Sequence, residues 1–154
     1  VNKTMSELPP KLQEVLDTLE MFPDRADRIQ VLISFGDRFR PVPEEIAKRP
    51  FPEEHRVPGC ESEAYVWAVP RPDGTQDYHF AVENPQGVSA MAMAAILRDS
   101  LSGQPLATVQ AVPPDIIYQI FGRELSMGKS MGLMGMVQFV HALARRAEQA
   151  LPRS

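Results

Sequence analysis

The chain has 154 residues, 44% of them apolar and 23% charged, with a formal net charge of −4; this balance fits one domain around one hydrophobic core and excludes a disordered polyelectrolyte. Lysines and arginines are scattered and no run of five like charges occurs, so the concentrated basic surface that nucleic-acid binding needs is missing. The longest apolar stretch, Ala90 to Leu97, is too short for a membrane span, and the first residues lack the apolar centre of a signal peptide.

Residues 1–7 read as a tail and 8–150 as the domain. Leu8, Leu12, Val15, Leu16 and Leu19 recur at helical spacing, with Phe22 closing the stretch and Pro23 breaking it. A second helix is predicted from about Asp24 to Phe35, burying Ile29, Leu32 and Ile33, with Gly36 as its stop. Residues 38–54 are proline-rich and polar, and predict an extended crossing with at most one helical turn near Glu44 to Lys48. A strand is expected near His55 to Val57, interrupted by Pro58-Gly59. Ala64 to Val69 and Tyr78 to Val82 then form a hairpin about the turn signal Arg71-Pro72-Asp73-Gly74.

Trp67 and Tyr65 share one face of the hairpin, as sheet core or as a partner surface. After Pro85-Gln86-Gly87, a helix over about Val88 to Ser102 turns Met91, Ala92, Ala95 and Ile96 inward, and its small residues permit close approach of another element. A short helix follows Pro113-Pro114-Asp115, with Gly122 at its end. The last helix runs from about Lys129 to Ala150, with Leu133, Val137, Val140 and Ala144 in one stripe and Pro152 as its stop. Met127, Met131 and Met134 are either gap fillers or the lining of a partner groove. Helices at both ends of a short antiparallel three-stranded sheet predict a single α+β domain, and nothing demands more than a monomer or weak dimer.

Cys60 is the only cysteine. No internal disulfide is possible, and a free thiol suits a reducing, cytoplasmic compartment. A lone cysteine is ordinarily a small buried hydrophobe. Here Pro58 and Gly59 mark a tight loop, and Glu61 and Ser62 follow on the polar side. A thiolate presented on such a loop can attack a persulfide sulfur without a local triad or metal. A thiol hydrolase needs a histidine base and an oxyanion site as well. His55, five residues away, is the nearest histidine in sequence. Zinc is poorly supplied by one cysteine and three dispersed histidines.

The stretch Val57-Pro58-Gly59-Cys60-Glu61-Ser62-Glu63-Ala64-Tyr65-Val66-Trp67 resembles the V-x-G-C-x-S-x-V-W pattern of the SufE family, with two extra residues before the tryptophan. Arg28 to Gly36 is similar to that family's R-x-x-x-L-I-x-x-G helix end, followed by a proline-bearing crossing, here Pro41 to Glu45. Ser102-Gly103-Gln104-Pro105 and the run Leu125 to Leu133 resemble two later family steps in the right order. The resemblance implies a SufE/IscU-like fold and a sulfur-transfer role. Cys60 would take persulfide sulfur from a SufS-type cysteine desulfurase, stimulate that enzyme, and pass sulfur to a SufBCD-like scaffold for iron–sulfur cluster assembly. Pro58, Gly59, Glu61, Ser62 and Lys129 would support the loop or meet the partner. Pyridoxal phosphate would belong to the desulfurase, and this chain would carry no cofactor. Two departures stand out: Val82 to Gly87 replaces the family's G-x-S-D-A stretch, and Lys129 stands where the family has arginine, keeping the charge without the planar fork. Two readings compete with this one, a stand-alone thiol enzyme and a desulfurase-binding module whose cysteine is idle.

Overall fold

Leu12, Leu16 and Leu19 are fully or almost fully buried along one side of the first helix, as their spacing requires. The computed structural model describes residues 8–84 and 87–151; the tail over 1–7, Pro85-Gln86 and the Pro152 stop lie outside the described residues. Helix α1 spans Pro10–Glu20 and α2 Arg25–Asp37; strands β1 and β2 span Ala64–Pro70 and Gln76–Val82; α3 is Val88–Leu101, α4 Leu106–Ala111, α5 Ile116–Phe121 and α6 Met127–Ala150.

The strands pair antiparallel, from Ala64 opposite Val82 to Pro70 opposite Gln76. Arg71 and Thr75 close the hairpin with a 2.8 Å backbone bond, and Gly74 takes φ +89°, a conformation that favours glycine. The sheet has two strands where three were expected. His55 closes a short 3₁₀ turn over Glu53–His55, and the third strand is reduced to one bridge, Arg56 to Tyr65. Proline is the cause: Pro52 and Pro58 flank the segment, and Pro58 has no N–H to extend the ladder.

Each face of the hairpin is covered. Val66, Tyr78 and Phe80 enter the main core with the helices. Tyr65, Trp67 and Ala81 face the other way and are covered by Val42, Ile46, Ala47 and Phe51 of the proline-rich crossing. Phe51 meets Trp67 edge-on at 5.1 Å and His55 stacks on it at the same distance. Trp67 therefore packs as core and offers no partner face.

The second helix departs from its sequence reading. Gly36 lies inside α2, where a Cβ would stand 3.7 Å from the Ala92 nitrogen, so this glycine lies at the close crossing of α2 on α3 and does not end the helix. Ile29 and Ile33 are 45% and 38% exposed, and Phe35 is the buried residue of α2. The apolar stripe of α2 is thus wider than the surface that the described residues offer to cover it.

Arg28 ties three elements together. Its guanidinium donates to the carbonyls of Leu19 at 2.9 Å, Gln119 at 2.9 Å and Ile120 at 3.2 Å, closing the ends of α1 and α5. Arg28→Ala leaves these carbonyls to water or to nothing; the expected loss is about 2 kcal/mol, read as a drop of several degrees in Tm.

Two histidines, His79 and His141, resist protonation. Burial is the main cause in each, and for His141 the Arg145 charge adds to it, while a hydrogen bond to the Val112 backbone opposes it. The folded pKa is below the unfolded one. Stability is therefore fully present above the unfolded value of about 6.5 and falls as the pH drops through it, because the unfolded chain binds protons that the folded chain refuses. Tm should decline between about pH 7 and pH 5.5, and His141→Leu should make that decline shallower.

Candidate functional site

Residues 57–63 form the loop that carries the thiol. Val57 donates its N–H to the Ala64 carbonyl at 2.9 Å and is completely buried, so the loop leaves the sheet from a fixed point. Pro58 ends the pairing and Gly59 turns the chain at φ +71°. No atom lies within 4 Å of where a Gly59 Cβ would be, so this glycine is required by backbone conformation and not by space. The Cys60 carbonyl accepts from Glu63 N–H at 3.1 Å, and Glu63 itself sits at φ +54°.

The far side of the loop is laced to the segment after β2. Glu83 N–H donates to the Glu63 carbonyl at 3.1 Å, Asn84 N–H to the Ser62 carbonyl at 3.2 Å, and the Asn84 side-chain amide to the Glu61 carbonyl at 3.3 Å. Gly87 lies under this junction; a Cβ there would come within 2.9 Å of Val82 Cγ1 and 3.0 Å of Ser62 Cβ. In the stretch that replaces the family's G-x-S-D-A, the backbone of residues 83–84 and the Asn84 side-chain amide hold the loop.

The near side rests on α6, on a track of glycines at i, i+4 and i+7. A Cβ on Gly132 would be 3.3 Å from both Cα and Sγ of Cys60; one on Gly128 would be 3.0 Å from Glu61 Oε1; one on Gly135 would be 2.9 Å from Val57 Cγ1. The three positions share one helix face. Cys60 is consequently 6% exposed and belongs to the main core, although its loop neighbours Pro58, Gly59 and Glu61 are exposed.

Beside the thiol opens a cleft of about 180 Å³. Cys60, Glu61, Ser62 and Lys129 line it together with Asn84 and Gly128. Four of the six site residues named from sequence therefore converge there. Gly59 is exposed on the loop, and Pro58 borders a separate depression with Met131, Met134 and Phe139. Lys129 lies in the first turn of α6, whose N-cap Ser126 accepts the Lys129 backbone N–H at 3.2 Å.

No histidine borders the cleft. His55 stacks on Trp67 and its Nδ1 lies 2.9 Å from the Val66 carbonyl, while Trp67 lies on the sheet face opposite the main core that holds Cys60. His79 pairs with Trp67 across the hairpin, and His141 bonds to Val112. The Cys60–His55 dyad considered from sequence is not assembled.

Sequence reasoning missed the glycine track, Asn84 and Gly87. Gly128, Gly132 and Gly135 are visible as Gly-x-x-x-Gly-x-x-Gly at the start of a helix, a place where glycine is costly unless something approaches closely.

Comparison with known proteins adds an independent line. The family model SufE, described as "Fe-S metabolism associated domain", matches residues 13–144. The chain is 26% identical over 145 residues to "SufE-like protein 1, chloroplastic/mitochondrial" of Arabidopsis thaliana, an alignment covering 94% of this chain and 37% of that protein. The chain thus spans little more than a third of that relative's length. A solved structure, the solution structure of a hypothetical protein from Thermus thermophilus, superposes with a TM-score of 0.71 at 25% identity, covering 94% of this chain and all of that one.

Proposed function

The chain belongs to the SufE family of iron–sulfur metabolism proteins, and from that premise we propose that Cys60 is a sulfur acceptor served by a cysteine desulfurase. The observation that carries this reading is the placement of the sole thiol. It is buried on a helix face stripped of side chains, on a loop whose tip is exposed, beside a cleft that no histidine borders. That arrangement supports storage and delivery of a nucleophile better than acid–base turnover at the thiol.

The transfer is chemically simple. The Cys60 thiolate attacks the terminal sulfur of the donor's persulfide. A new sulfur–sulfur bond forms on Cys60, the donor's own sulfur–sulfur bond breaks, and the donor leaves as a thiolate. One proton moves with the transferred sulfur according to pH, and no external oxidant or reductant is consumed. The ammonium of Lys129 at the cleft favours the anionic partners of this exchange. Pyridoxal phosphate belongs to the donor enzyme, and an iron–sulfur assembly scaffold of the SufBCD type is the onward acceptor in this reading.

For the attack, Cys60 must leave its seat. Burial of the side chain shields the thiol from oxidants in solution between deliveries. The backbone hydrogen bonds of Cys60 itself stay within the loop, from its N–H to the Val57 carbonyl at 3.4 Å and from Glu63 N–H to its carbonyl at 3.1 Å, so the thiol can swing out without breaking the strand pairing. When the chain is incubated with a SufS-type desulfurase and cysteine labelled at sulfur, the label should travel with it through gel filtration and be released by dithiothreitol. Label that stays wholly on the desulfurase would refute the reading.

A further inference from the structure

On α2, Ile29 is left nearly half exposed, with Leu32 partly buried beside it. Together with Phe121 and Leu125 they form the apolar lining of a groove of about 480 Å³ between α2 and the connection from α5 to α6. Its remaining side chains are unevenly charged. Arg25, Arg28, Arg123 and Lys129 line it against one carboxylate, Glu124, in a protein whose net charge is −4.

That carboxylate is already engaged by Arg25. Arg28 spends its hydrogen bonds on backbone carbonyls, which leaves its positive charge without a carboxylate. Arg123 lies 5.7 Å from the centre of the Tyr118 ring and, like Lys129, makes no ion pair among the described residues. An apolar floor under a cationic rim is complementary to a segment that carries carboxylates beside apolar side chains.

The groove neighbours the thiol cleft, since Lys129 lines both. Resting on the acceptor reading above, we infer that this groove is the docking surface for an acidic, partly apolar segment of the sulfur-donating protein. Its seating there brings the donor's persulfide to the cysteine loop. Charge attraction at the rim speeds the encounter and the apolar floor holds it, so binding weakens as salt is raised.

The test uses the whole chain and a SufS-type desulfurase as the probe, titrated at low and high salt, with inorganic polysulfide as a donor that needs no docking. Arg25→Glu/Arg123→Glu should raise Kd for the desulfurase by about tenfold or more at low salt, flatten the salt dependence, and leave loading of Cys60 by polysulfide unchanged. Arg25→Gln/Arg123→Gln, which adds no new charge, should move in the same direction by less and guards against misfolding of the reversed pair. Unchanged Kd and salt dependence in both variants, with Cys60 still loaded by the enzyme, would overturn the groove and spare the acceptor. Wild-type chain that takes sulfur from polysulfide but never from the desulfurase would overturn both. Self-association of the chain that the charge reversals abolish would give the groove to a second copy and equally overturn the inference.

Discussion

Cys60→Ala is expected to carry no sulfur from a desulfurase, while keeping the fold. The substitution removes the only cysteine in the chain, so the expected loss is complete and not partial. Alanine is a better probe than serine here. The side chain is 6% exposed and packed with apolar neighbours, and a hydroxyl placed there without a partner costs about 1–3 kcal/mol. Alanine loses only the packing of one atom, on the order of 1 kcal/mol. Cys60→Ser should therefore show the same loss of sulfur uptake with a lower Tm than Cys60→Ala. Labelled sulfur retained by either variant, in thermal melts and gel filtration run side by side, would contradict the assignment.

Gly132→Val is expected to dislodge the cysteine loop. Gly128, Gly132 and Gly135 each cost α6 about 1 kcal/mol of helix propensity relative to alanine, yet each lies under one residue of the loop. At Gly132 a single methyl group would stand 3.3 Å from Cα and Sγ of Cys60. A shift of a few tenths of an ångström absorbs that, and the gain in helix propensity offsets it, so Gly132→Ala should be close to neutral. Valine adds two more carbons against backbone, a strain of about 1–3 kcal/mol. Moving the loop relieves this strain at less cost than bending a helix of 24 residues. The rate of Cys60 alkylation by iodoacetamide should rise about tenfold or more in Gly132→Val, which corresponds to about 1.4 kcal/mol in favour of the open loop, and little in Gly132→Ala. The helical circular dichroism should be kept in both. An alkylation rate equal to wild type in the valine variant would show that the glycine track does not hold the loop.

Local signals with a single physical cause were readable from the chain. The leucines of α1, the Pro-Asp-Gly turn with Gly74 at positive φ, and the stripe Leu133, Val137, Val140 and Ala144 in α6 all occur as their spacing demands. The cysteine loop was legible too, because Pro58 cannot extend the strand pairing and Gly59 permits the positive-φ turn just before a lone thiol. Other features depend on what lies opposite. Ile29 and Ile33 have the spacing of core residues, but spacing states only that a face can be buried, not that this chain buries it. The segment near His55 has strand composition, and flanking prolines cut its pairing to one bridge. Helix α4, six residues long, is too short to show a period and went unread. The glycine track needs the tertiary partner to be understood, since nothing in its own helix explains it.

The same geometry gives the central claim a direct trial. The intact chain, incubated with a SufS-type desulfurase and cysteine, is digested under non-reducing conditions and its cysteine-bearing peptide is weighed. One additional sulfur atom on the peptide containing Cys60, absent when cysteine is withheld, is the predicted result; a Cys60 peptide of unchanged mass while the desulfurase itself is turning over would contradict the account.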